Sequence, residues 1–165
     1  MRELNIIIYM KPRGQARSTP FVNRKTGKVI YQYHDCETPS YAFRRALNSV
    51  AEDALFEGWE KIPEGIPVAL SITAYFKIPK DKINKVFDGD DCPHHSDINN
   101  IIKAVEDSFN KKIWKDDRQV TRYEPAPKKL WTSGDERIEI IVRRVNDNGC
   151  GFEEKDDNET AQIIY

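Results

Sequence analysis

Between His95 and Val120 the sequence reads HSDINNIIKAVEDSFNKKIWKDDRQV, which places Asp97, Lys103, Asp107, Asp116 and Asp117 in one short stretch. Carboxylates gathered at one point repel each other unless a cation lies between them. Magnesium suits such a set, because this hard ion takes one or two carboxylates, keeps several waters and accepts phosphate oxygens as its remaining ligands. A metal held this way activates water or stabilises a leaving oxygen in phosphodiester hydrolysis. A neighbouring lysine neutralises charge that develops on the phosphate. The bland alternative is also open: aspartates cap helices, and Lys103 with Asp107 makes an ordinary surface pair.

Local elements decide whether these groups meet. Ile98, Ile101, Ile102, Val105 and Phe109 fall in a stripe about 100° wide on a helix, so that face is core. Asn99, Lys103 and Asp107, four residues apart, line the opposite face, and Ser96 or Asp97 caps the N-terminus. After a turn at NKK, the stretch IWKDDRQVTRYEP reads as a strand, on which Asp116 and Asp117 point to opposite sides. Only one of the two can then join the helix aspartate.

The rest of the chain reads as one domain, residues 1–145, followed by an acidic tail, 146–165, expected to be mobile. LNIIIYM (4–10) is a first strand, and KPRGQARSTPF after it is a basic loop rich in Pro and Gly. A first helix follows, with Thr38 as N-cap, Pro39 at the first helical position and Gly58 as the stop. GIPVALSITAYFKIP (65–79) alternates as a strand with one buried face, KDKINKVFDGDDCPHHS (80–96) is a long polar loop, and ERIEIIVRRV (136–145) is a last strand. The expected class is α+β: a mixed sheet with two main helices packed on it.

Charge is unevenly divided. The chain carries a net −1, but residues 146–165 hold six acids and one lysine, leaving +4 for the rest. The first 34 residues carry seven Lys or Arg against Glu3 alone. That clustering suits a polyanion as well as it suits a solvated loop. No apolar run approaches the roughly 18 residues that a membrane span needs, so no membrane partner is expected. Cys36, Cys92 and Cys150 are too few and scattered for a disulfide framework, which favours a reducing, cytoplasmic compartment.

The stretch DINNIIKAVEDSFNKKIWKDDRQV resembles the signature of the RusA-type Holliday-junction resolvases: Asp-x-Asp-Asn-Leu-x-Lys, a helix end, then a hydrophobic residue, an aromatic and Asp-Asp-x-Gln. The layout of strand, basic MKPRGQAR loop, helix and strand before it agrees in outline. The resemblance implies a homodimeric endonuclease of a bacterial or phage-infected cell, which nicks opposing strands of four-way DNA junctions in recombination and repair. Its cofactor is Mg²⁺, with Mn²⁺ as a substitute, held by three aspartates. On this chain Asp97 matches the first metal-binding aspartate, Asp117 the one in the second half, and Lys103 the essential lysine. Asn100, Asp107, Asp116 and Gln119 match further motif positions. Lys11, Arg13, Arg17 and Lys103 are the residues expected to contact DNA.

Asn99 departs from the pattern, standing where the family has its middle aspartate. Its amide oxygen can ligate a metal but brings no negative charge, so metal affinity and water activation both suffer. The residue fits an isosteric inactivating change, a natural variant compensated by other carboxylates, or a protein of the same fold that binds branched DNA, or regulates transcription, without cutting.

Rival chemistries have weaker support. His34 with Cys36, and Cys92 with His94 and His95, could form a zinc site, but their spacings are unlike the usual knuckles. DGDD (88–91) lacks the remaining ligands of a calcium loop. A Cys92–His94 dyad has no orienting acid or oxyanion motif beside it. Tyr31, Tyr33, Tyr41, Trp114 and Trp131 are candidates for base stacking, although aromatics on strands more often fill cores.

Overall fold

The computed structural model describes residues 3–15, 19–22, 26, 29–32, 38–145 and 160–165. Its centre is a mixed sheet built on three long strands, β1 (Glu3–Ile8), β4 (Val68–Lys77) and β7 (Arg137–Arg144), with β7 antiparallel to both neighbours. Register aligns their apolar residues in rows across the sheet: Leu4, Val142 and Leu70; Ile6, Ile140 and Ile72; Ile8, Ile138 and Ala74. All nine are buried. Period-two alternation thus delivers one continuous apolar face.

Two helices cover that face. Helix α1 (Pro39–Phe56) starts as its sequence dictates, with the Thr38 hydroxyl accepting from the Tyr41 amide and Pro39 in the first turn. It ends just before Gly58, whose φ of +96° reverses the chain. Helix α2 (Ile98–Phe109) buries Ile101, Ala104, Val105 and Phe109, while Asn99, Lys103 and Asp107 face solvent. Both helices join the strands in one hydrophobic cluster that also takes in Ile113 and Trp114. The α+β architecture is therefore the one expected.

Several elements differ from the expectation. Asp116 and Asp117 do not lie on a strand: Asp117–Gln119 is a single 3₁₀ turn, and β5 begins only at Val120 and runs to Tyr123. The antiparallel hairpin of β2 (Thr19–Val22) and β3 (Val29–Gln32), and strand β6 (Lys128–Thr132), add to the strands anticipated. β5 and β6 both pair parallel to β4, β5 against Val68–Leu70 and β6 against Thr73–Lys77. Trp114 and Trp131 are buried core residues, unavailable for stacking on bases.

The tail is not wholly outside the fold either. Residues Thr160–Ile164 form β8, which pairs parallel to β1 as the last strand of the order β5-β4-β7-β1-β8. The Tyr9 amide donates to the Tyr165 carbonyl (2.7 Å) and the Tyr165 amide to the Ile7 carbonyl (2.8 Å). Ile163 is buried. Deleting residues 160–165 should therefore cost roughly 1.5–3 kcal/mol of stability, the worth of a buried Ile side chain, and lower the unfolding midpoint accordingly. Amide exchange checks this: the Tyr9 amide should be protected in the full chain and unprotected in the truncation, whereas equal exchange in both would mean that β8 contributes nothing.

Candidate functional site

The first half of the acidic motif sits at the start of α2. Asp97 is the N-cap, one carboxylate oxygen accepting from the Asn99 amide at 2.9 Å, and the side chain is exposed. Asn99 and Lys103, also exposed, follow one turn apart on the solvent face. What precedes the cap is fixed from another element: Lys129 Nζ donates to the carbonyls of His94 (3.0 Å) and Ser96 (3.1 Å). His95 occupies a left-handed conformation with φ +67° and stacks on Phe76, ring centroids 4.6 Å apart, with its edge toward Trp131. Burial, helped by Lys11 and opposed by Glu136, pushes the His95 pKa below the ordinary imidazole value.

The basic loop reaches the same place. The Gln15 amide donates to the Asn100 carbonyl at 3.1 Å. A Cβ built on Gly14 would lie 2.7 Å from the Asn100 Cβ, so glycine is what lets the loop close on the helix. Arg13 is half-buried beside this contact. The Lys11 ammonium pairs with Glu136 at 3.0 Å. Arg17 lies outside the described residues.

The second half of the motif lies elsewhere. Asp116 and Asp117 have different jobs: the Asp116 carboxylate caps the turn and accepts from the Arg118 amide (3.0 Å), Nε (2.9 Å) and Nη2 (2.9 Å). These bonds hold Asp116 far below the usual carboxylate range. Asp117 is left exposed. Gln119, buried, anchors the turn by accepting from the amides of Lys115 (3.0 Å) and Asp116 (2.8 Å) and donating to the carbonyls of Pro63 (2.6 Å) and Ile66 (2.9 Å). The spacing Asp116-x-x-Gln119 is a capping box, a signal the sequence carried.

Two rulers show that the halves do not meet within one chain. Asp97 and the turn stand at opposite ends of α2, whose 12 residues rise about 18 Å. Along the sheet, β6 beside Asp97 starts level with Thr73, whereas β5, which follows Asp117, starts level with Val68. Five residues of strand cover roughly 17 Å. Oxygens sharing one magnesium lie within about 4 Å of each other. In a single chain Asp97, Asn99 and Asp117 therefore do not fit a metal ion. Among the described residues no group of three or more His, Cys, Asp or Glu is placed to hold one.

The rival sites fare no better. Burial pushes the Cys92 thiol above its ordinary pKa, and its Sγ donates to the His94 carbonyl at 3.6 Å. Asp88 and Asp90 of DGDD are spent on turns, accepting from Ser133 and the Phe87 amide. His34 and Cys36 lie outside the described residues.

A family model described as endodeoxyribonuclease RusA matches residues 10–143. No curated protein matches the chain. The matched span contains α2, the 3₁₀ turn and the loop closed on Asn100.

Gln119→Ala tests the anchor. It strands two amides and two carbonyls, so it should cost about 1–3 kcal/mol, a loss visible in denaturant melts. Asp116→Asn, at an exposed cap, should cost less; an equal cost for both would refute the anchoring role.

Proposed function

Because this chain belongs to the RusA endodeoxyribonuclease family, we propose that it is a metal-dependent endonuclease that nicks four-way DNA junctions as a homodimer. One observation carries the reading. Both halves of the acidic motif are exposed, and they sit at opposite ends of a rigid helix. An isologous contact that lays this element antiparallel beside its copy pairs one end with the other end of the copy. Such a dimer sets Asp97 of one protomer beside Asp117 of the partner subunit, twice. Two identical sites related by a two-fold axis suit cleavage of two opposed strands.

Within each site the chain's own groups divide the work. Asp97 is oriented by its bond to the Asn99 amide. Asp117 is held out by the Gln119 anchor and relieved of capping by Asp116. Lys103 presents an ammonium on the same helix face, where it can offset charge on the phosphate. Magnesium, when bound by carboxylates of both chains, would supply Lewis-acid stabilisation and a water of lowered pKa. Asn99 offers that ion an oxygen without charge, which weakens the site.

A second reading, favoured by Asn99 itself, is a protein that binds branched DNA without cutting it. A nicking assay on a labelled four-way junction with Mg²⁺ separates the two. Asn99→Asp should make paired symmetric nicks, with this sequence slower on the order of 100-fold, the scale of one lost preorganised electrostatic group. Equal cutting by both would show that the middle carboxylate is dispensable. Tight binding with no cutting by either would establish the non-cleaving protein.

A further inference from the structure

Beyond the turn at Phe87, whose amide donates to Asp90 Oδ2 at 2.7 Å, the chain runs antiparallel along β6. The Gly89 amide donates to the Trp131 carbonyl (2.9 Å), the Trp131 amide to the Asp90 carbonyl (2.8 Å), and the Cys92 amide to the Lys129 carbonyl (2.8 Å). The ladder stops there. Pro93, His94, His95 and Ser96 then carry the chain to the Asp97 cap, and none of the four belongs to a helix or strand.

This connection needs support. His95 holds a left-handed φ of +67°, which persists in an L-residue only where the surroundings enforce it. Lys129 supplies part of that enforcement. Its ammonium donates to the carbonyls on either side of His95, those of His94 (3.0 Å) and Ser96 (3.1 Å), while its own carbonyl holds Cys92. One residue thus clips both ends of the connection. The second clip has a direct consequence, because the Ser96 carbonyl belongs to the rigid peptide plane that ends at the Asp97 Cα. From the helix side Asp97 is held by its own carbonyl, which accepts from the Asn100 and Ile101 amides at 3.1 Å each, and by its carboxylate on the Asn99 amide. On the N-terminal side the brace is Lys129.

Resting on the junction-nuclease reading above, we propose that Lys129 is a positioning residue for Asp97: it serves the reaction through the backbone it holds, and not as a phosphate contact. Displacing a reacting group by about 1 Å can cost on the order of 100-fold in rate. Asp97 precedes the first helical residue, Ile98, so the helix alone does not set where its carboxylate stands. Lys128, the next residue on β6, is exposed where Lys129 is half-buried, as alternation along a strand requires. It supplies a control of equal charge.

Lys129→Met removes the ammonium and leaves the β6 ladder, so it should keep the fold, which a denaturant melt checks. In the chain as it stands, Lys129→Met should make the Asn99 amide exchange roughly tenfold faster, the scale of one lost hydrogen bond. Lys129→Arg, which again offers donors to both carbonyls, should restore slow exchange. Lys128→Met should leave that exchange unchanged. In chains that carry Asn99→Asp, Lys129→Met should lower kcat on a four-way junction by on the order of 100-fold, with junction Kd and its salt slope unchanged, and Lys129→Arg should recover the rate. A salt slope reduced by about one in Lys129→Met would make the residue a phosphate ligand and overturn the proposal. Unaltered Asn99 exchange in that variant would overturn it as well. Absence of nicking by the Asn99→Asp parent would overturn the nuclease reading, and the catalytic part of this one with it, while faster Asn99 exchange would still support the brace on Asp97.

Discussion

Twelve residues of helix separate the two halves of the acidic motif, and that span is a rigid spacer. Its buried face is locked into the same cluster as the three central strands, so neither end can move without breaking the core. The backbone ladder fixes the length and the core fixes the direction. Asp97 and Asp117 are consequently kept apart in one chain and kept exposed. This constraint separates, within one chain, the two parts of a sequence motif that looks like one site. Keeping carboxylates apart also spares the free chain the repulsion that a preassembled cluster would impose in the absence of metal.

Around the Asp97 end, three segments distant in sequence are drawn together by β4 and β6. The basic loop closes through Gly14, Lys129 clamps the approach to α2, and the Phe87 turn clips to the Trp131 backbone. Trp131 is buried and touches Lys82, His94 and His95. A single core residue therefore couples the Phe87 turn to the entry of the helix. The other end is organised differently, by one buried amide side chain, Gln119, serving four backbone partners.

What the sequence made legible was local. The Asp97 cap, the solvent face of Asn99, Lys103 and Asp107, the start of α1 at Thr38 and Pro39, and the alternation in β4 follow from contacts within a few residues. What it hid was set at a distance. β6 reads as KKLWT after a Pro-rich stretch, and only pairing with β4 makes it a strand. β8 follows acidic sequence and is decided by β1. The Asp-Asp-Arg-Gln turn reads as strand because its flanks are β-prone, although its capping box is written in the spacing. Proximity in sequence also suggested proximity in space for Asp97 and Asp117. The helical rise says otherwise.

The central claim is that each site is completed by a second chain. Mixed dimers test it most directly, using Asp97→Asn and Asp117→Asn chains, both carrying Asn99→Asp, assayed alone and together on a labelled junction. Each variant alone should be inert. A mixed dimer, if sites form between chains, has one site with both changes and one with neither, so mixing should restore nicking of one strand per junction. Silence of the mixture, with dimers confirmed by light scattering, would show that both aspartates must act from the same chain and would contradict the account.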